Sequence, residues 1–129
     1  MFHTAAAVRR RLDEAGFAYL PESKPWEVRR GGHYYTVRNN SSIIAFKVGA
    51  KLDAYRFQLT ASHSDSPTYK VKAAPELSGP SGYMRLNVEA YGGVMDHTWF
   101  DRPLSVAGRV LVRSGGRVES RLIAPVHYP

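Results

Sequence analysis

A fold mixing α and β structure is predicted by three observations. One amphipathic helical stretch opens the chain. The apolar period changes to two from Trp26 onward, and the β-like pattern resumes after a Pro/Gly-rich break at Ala73–Gly82. With 43% hydrophobic and 22% charged residues, the 129-residue chain has ordinary globular usage, which argues against disorder as the main reading.

The opening helix carries Ala5, Val8, Leu12 and Ala15 at helical spacing, with Arg9, Arg10 and Arg11 mostly off that stripe. Thr4 is the expected N-cap, because its hydroxyl oxygen would accept a backbone N–H bond. Gly16 is the expected stop, since it tolerates the left-handed conformation. Phe17, Tyr19 and Leu20 then offer alternating apolar contacts before the turn residues Pro21, Ser23 and Pro25.

Strands are expected at Tyr34–Arg38, Ser42–Val48 and Arg56–Ser62, separated by Gly31-Gly32, Asn39-Asn40 and Gly49–Asp53. The Asn39-Asn40 pair is a tight-turn signal, because Asn visits positive φ more readily than most residues. Ile43 to Phe46 is a short continuous apolar run, as in a buried strand. In the third strand Leu59, Ala61 and His63 would share a face. Ala73–Gly82, with Pro75, Gly79, Pro80 and Gly82, is expected to be a linker or a domain crossing. Beyond it Tyr83–Tyr91 alternates, with Met84, Leu86, Val88 and Ala90 on one face. Leu104–Arg113 and Arg117–Ile123 are expected to form a hairpin around Ser114-Gly115-Gly116.

Composition removes several function classes. There is no cysteine, hence no disulfide, thiolate zinc site or cysteine nucleophile. No apolar run approaches the ~20 residues of a membrane span, and Met1 to Arg11 lacks a secretory h-region, so a cytoplasmic protein is expected. No nucleophile elbow, Walker A loop or dinucleotide fingerprint is present. The net charge of +7 raises the case for an anionic partner, but it is spread thinly, with only Arg9-Arg10-Arg11 and Arg29-Arg30 adjacent. Tyr34-Tyr35 beside Arg38 could stack on single-stranded bases, though core packing is the simpler role. Nucleic-acid binding is therefore not the favoured reading.

Thr60 to Pro67 is the segment with chemistry in it. His63 and Asp65, at i and i+2 of an extended strand end, would point the same way. A metal-binding histidine needs its second ring nitrogen held by a carboxylate or carbonyl, which Asp65 could supply. A histidine merely hydrogen-bonded at a strand end is the alternative. Five His and five Asp would give about 0.2 such pairs by chance, so the spacing discriminates little by itself. In the second block, Asp101-Arg102 reads as an ion pair or a cap, Trp99 and Phe100 as core or interface, and Gly92-Gly93 as too short to cradle phosphate.

Together these segments resemble the M18 family of zinc metallopeptidases, the aspartyl aminopeptidases. The likeness is carried by Phe2-His3 and Ala15-Gly16-Phe17, by Gly32-His33-Tyr34-Tyr35, and by Arg38-Asn39-Asn40-Ser41-Ser42 running to Ala45-Phe46. It continues in Ser62-His63-Ser64-Asp65-Ser66-Pro67, Val88 to Gly93, Thr98 to Leu104, and Ala107 to Val110.

The resemblance implies that His63 is a zinc ligand and that Asp65 is the catalytic-site aspartate orienting it. It implies an α/β fold of the zinc-exopeptidase type, present here incompletely. Residues 1–78 would be the N-terminal part of a catalytic domain with a mixed sheet and helices. Residues 79–129 would begin an inserted β-rich dimerisation domain. It further implies two zinc ions in the complete site, removal of an N-terminal acidic residue from peptides, and a homo-oligomer. The family's other metal ligands and its glutamate base are expected beyond Pro129, so the chain is expected to be an N-terminal piece, inactive alone. His3, His33 and His97 are taken as structural or exposed, and His127 is not assigned a metal role. A non-catalytic partner subunit and a basic nucleic-acid-binding module are the alternatives.

Overall fold

The computed structural model describes residues 1–54 and 56–124. Its elements divide into two compact units. One comprises residues 1–65 together with the stretch from Ser105 onward, and the other is Ser66–Leu104.

The first unit is built on helix α1 (Phe2–Glu14) and a three-stranded sheet of β1 (Ala18–Tyr19), β2 (His33–Arg38) and β3 (Ser42–Lys47). The sheet is mixed: β1 runs parallel to β2, and β3 antiparallel, with Tyr35 opposite Ala45. The fold class is therefore α/β, as expected. Helix α1 begins two residues before its expected cap, with Met1 at the N-cap position and no side-chain capping bond, so Thr4 lies inside the helix. Its end follows expectation. Gly16 has φ 75, and the amides of Gly16 and Phe17 donate to the carbonyls of Asp13 and Leu12, each at 3.0 Å. That pair of bonds is a Schellman closure, which only a residue at ease with positive φ completes without strain.

The buried centre of this unit is β2, where Tyr34, Tyr35 and Thr36 are all inaccessible. Alternation sends the two tyrosines to opposite faces. Tyr35 donates from its hydroxyl to Asp13 Oδ1 of α1 at 2.5 Å and packs on the Tyr19 ring. Tyr34 accepts from the Arg29 amide at 3.0 Å and packs on Phe46, which in turn stacks with Trp26. A side chain at Gly32 would run into the Tyr34 ring at 2.3–2.5 Å, so the glycine is what lets this ring lie flat against the backbone. This burial also takes Tyr34 and Tyr35 away from any role in stacking on bases.

The β2–β3 connection is closed by the Ser41 amide on the Arg38 carbonyl at 3.1 Å. Its central residues Asn39 and Asn40 have φ 52 and 56, the signs that a type I′ turn requires. The first unit's remaining hairpin pairs β6 (Gly108–Ser114) with β7 (Arg117–Ile123) across Gly115-Gly116, both at positive φ; the hairpin is the expected one, but its first strand begins at Gly108 and not at Leu104. From β6, the Arg109 guanidinium lies 4.2 Å over the Phe2 ring and donates to the Asn39 carbonyl at 3.2 Å.

The second unit pairs β4 (Thr68–Ser78) with β5 (Met84–Tyr91) through a 3-10 turn at Pro80–Gly82. This corrects the linker expected at Ala73–Gly82, because residues 73–78 are strand. The register jumps from Val71↔Val88 to Glu76↔Leu86, so four residues of β4 face one residue of β5. Pro75 sits in that bulge, where a missing N–H removes no ladder bond, and the bulge breaks the period that would have revealed the strand. The Asn87 side-chain amide donates to the Ala74 carbonyl at 3.1 Å and steadies it.

The second correction concerns Arg56–Ser62, which is not a strand. It pairs with no other strand among the described residues, and its apolar side chains stand in solvent, Phe57 84% and Leu59 89% exposed. Alternation creates a face, but a ladder needs a neighbour for its N–H and C=O groups.

Candidate metal centre

The unpaired segment delivers the chain to His63, Ser64 and Asp65. The His63 side chain is 80% exposed, so no wall of packed atoms fixes its ring. Two oxygens do so instead. His63 Nδ1 lies 2.9 Å from the backbone carbonyl of Asp65 and 3.2 Å from Asp65 Oδ1. Both only accept, so in the neutral ring Nδ1 carries the proton and donates. Nε2 is then the unprotonated nitrogen, with its lone pair free for a metal. The structure thus brings His63 and Asp65 together, outside any strand.

Ser64 faces the other way. Its hydroxyl donates to the Ser41 carbonyl at 3.3 Å, tying this segment to the β2–β3 turn of the same unit. Ser41 and Ser64 each lie inside a motif of the sequence, but a spacing of 23 positions carries no sign that the two meet.

The donor set fits one corner of a zinc site and not a whole one. A neutral imidazole with its far nitrogen held by a carboxylate suits zinc chemistry. Structural zinc takes about four protein ligands and catalytic zinc about three, yet no group of three or more His, Asp or Glu side chains converges among the described residues.

Other residues singled out in the sequence have their own surroundings. His33 packs its ring on Phe17 at 5.2 Å, and His97 lies in a 3-10 turn at Asp96–Thr98. In the second unit Tyr69 donates from its hydroxyl to Asp96, which raises the Tyr69 pKa, and meets the Trp99 ring edge-on at 5.3 Å. Trp99 is half-buried and Phe100 is exposed. Asp101 takes φ 53, so it serves a turn. His127 lies outside the described residues. A cleft lined by Phe2, Ala5, Arg9, Val37 and Leu122 includes neither His63 nor Asp65.

The family model described as "Aminopeptidase I zinc metalloprotease (M18)" matches residues 1–129. A probable M18 family aminopeptidase 2 of Ectopseudomonas mendocina is 48% identical over 123 residues, covering 95% of this chain and 28% of the relative. One from Clostridium acetobutylicum is 45% identical over 113 residues, covering 87% of this chain and 26% of the relative. Among solved structures, Ape4 in its complex with Nbr1 matches with a TM-score of 0.88 at 40% identity, over 95% of this chain and 24% of that one. Yeast aminopeptidase 1 (Ape1) matches with a TM-score of 0.78 at 30% identity, over 97% of this chain and 30% of that one. The chain therefore spans little more than a quarter of the length of the curated relatives it matches. With the family model matched from end to end and the same fold in solved relatives, the chain belongs to the M18 family of zinc metallopeptidases.

Proposed function

We propose that this chain supplies one metal ligand, His63, and its orienting carboxylate, Asp65, to a zinc aminopeptidase that removes N-terminal acidic residues from peptides. The observation that carries this reading is the His63 ring held through Nδ1 by Asp65, which leaves Nε2 to bind, in a chain of a zinc peptidase family. Zinc bound there would polarise the scissile carbonyl and lower the pKa of a bound water. What the chain's own residues contribute is orientation: Asp65 holds the ring in one tautomer and stabilises it when Nε2 gives its lone pair away.

On this reading the 129 residues are inactive by themselves, because His63 is one ligand where three are needed. The chain opens the catalytic domain and the inserted one of a complete protein that holds two zinc ions, is cytoplasmic and forms a homo-oligomer. No helix of the described residues is long and apolar enough to cross a membrane.

A second reading, a non-catalytic subunit that joins a partner polypeptide, is favoured by one observation, the exposure of Phe57 and Leu59. One experiment separates the two. The chain is assayed alone, and again co-expressed with the part of an M18 aminopeptidase outside the matched 123 residues. Release of N-terminal Asp, Glu and Leu from peptides is followed with and without chelator. The proposal expects chelator-sensitive release of Asp and Glu only from the co-expressed pair, lost in His63→Ala. Release by the chain alone overturns its inactivity. A stable pair with no peptidase activity overturns the peptidase reading in favour of the subunit.

A further inference from the structure

We propose that Ser64 is a positioning residue for His63, acting through its hydrogen bond to the Ser41 carbonyl. The inference rests on the metal-ligand reading of His63 and names what holds that ligand in place.

The bonds from His63 to Asp65 span two residues, so they hold the ring only while residues 63–65 keep one backbone conformation. The preceding residues give no further hold, since 56–62 joins no strand and Phe57 and Leu59 are exposed. Ser64 supplies a link to the sheet, Oγ to the Ser41 carbonyl at 3.3 Å. Ser64 lies between the two partners, so anchoring it to the turn holds the local conformation in which Asp65 meets Nδ1.

The acceptor is held from several directions. Ser41 closes the turn through its amide on the Arg38 carbonyl, with Asn39 and Asn40 both at positive φ. The Asn39 carbonyl receives Arg109, whose guanidinium lies on Phe2. Arg38, at the other end of the turn, donates to Glu22 Oε1 at 2.7 and 3.0 Å and to Oε2 at 3.3 Å. A carbonyl on such a turn is a fixed point against which a serine hydroxyl can register an otherwise unpaired segment.

The test reads the tautomer of His63, which needs neither metal nor substrate. Long-range proton–nitrogen NMR of the 129-residue chain, with the ring neutral, distinguishes Nδ1–H from the Nε2–H form that a free histidine favours. The Nδ1–H pattern is expected in the wild type, loss of it toward the free-histidine pattern in Ser64→Ala, and retention in Ser64→Thr, which keeps the hydroxyl. The backbone amide signals of β2 and β3 are expected to stay in place in both variants. An unchanged tautomer in Ser64→Ala overturns the proposal, as does an Nε2–H majority in the wild type. Collapse of the β2–β3 signals in Ser64→Ala also overturns it, by making Ser64 structural. Absence of peptidase activity in the assay above would leave the tautomer result standing, and failure of the tautomer test would leave the family reaction standing.

Discussion

Replacing Tyr35 with phenylalanine removes a single heavy atom from the most deeply buried ring among the described residues, and its cost follows from the structure. The hydroxyl donates to Asp13, a charged acceptor in the last turn of α1, at 2.5 Å. Hydrogen bonds to charged groups contribute about 1.5–3 kcal/mol. Asp13 stands exposed and regains water when the hydroxyl is gone, so no acceptor is orphaned and the expected loss is about 1–2 kcal/mol. For a chain of this size that lowers Tm by roughly 3–8 °C. Tyr35→Ala also empties the space between α1 and the sheet, for a loss of roughly 3–5 kcal/mol. Urea unfolding followed by tryptophan fluorescence measures both, with the slope unchanged if only stability moves.

A pH arm sharpens the test. Burial first, and then the bond to Asp13, push the Tyr35 pKa above 10.0, while Arg9 works against them. A folded pKa above the unfolded one means the stabilisation is fully present below pH 10 and is lost as pH rises through the raised value. The gap between wild type and Tyr35→Phe should therefore narrow above pH 10. A midpoint in Tyr35→Phe equal to wild type, or a gap that widens at alkaline pH, refutes the reasoning.

Gly32→Ala puts a methyl group 2.3 Å from the Tyr34 hydroxyl oxygen, and that ring is held by Arg29 and Phe46. The expected loss is about 1–3 kcal/mol, and thermal unfolding at wild-type temperature would contradict it. Phe57→Asp and Leu59→Asp should change the chain's own stability by less than about 0.5 kcal/mol, because both side chains are already in water. A loss of several kcal/mol in urea titration would show that the segment is packed after all. In hydrogen exchange, the amides of 56–62 should exchange far faster than those of β2, and equal protection would sink the description of an unpaired segment. Zinc titrated calorimetrically into the chain alone should reveal no tight stoichiometric site, since His63 offers one nitrogen and no third group converges on it. A tight site lost in His63→Ala would reverse that conclusion.

Local rules carried much of the fold. The helix stop at Gly16, the Asn39-Asn40 turn, β3, β5 and the Gly115-Gly116 hairpin all follow from residues close together in sequence, because backbone sterics and alternation act over a few positions. The pairing of His63 with Asp65 was legible for the same reason: its geometry is set within three residues. Its assignment to zinc needed more, since a His-x-Asp spacing occurs by chance, and only the ordered motifs along the chain singled out the family.

Tertiary structure decided what depends on distant neighbours. Thr4 lost its capping role because the helix gained an earlier turn. Residues 73–78 became strand because β5 offers a ladder that tolerates the bulge around Pro75. Arg56–Ser62 failed to become one because alternation prepares a face while only a second strand satisfies the backbone. The Ser64–Ser41 bond joins residues 23 apart, and no composition, period or motif encodes such an encounter. The sequence by itself determined the turns, the helix end and the pairing of His63 with Asp65, since each is a short-range steric or hydrogen-bonding preference. Which strands pair, and what holds His63 against the fold, were decided by chain segments meeting in space.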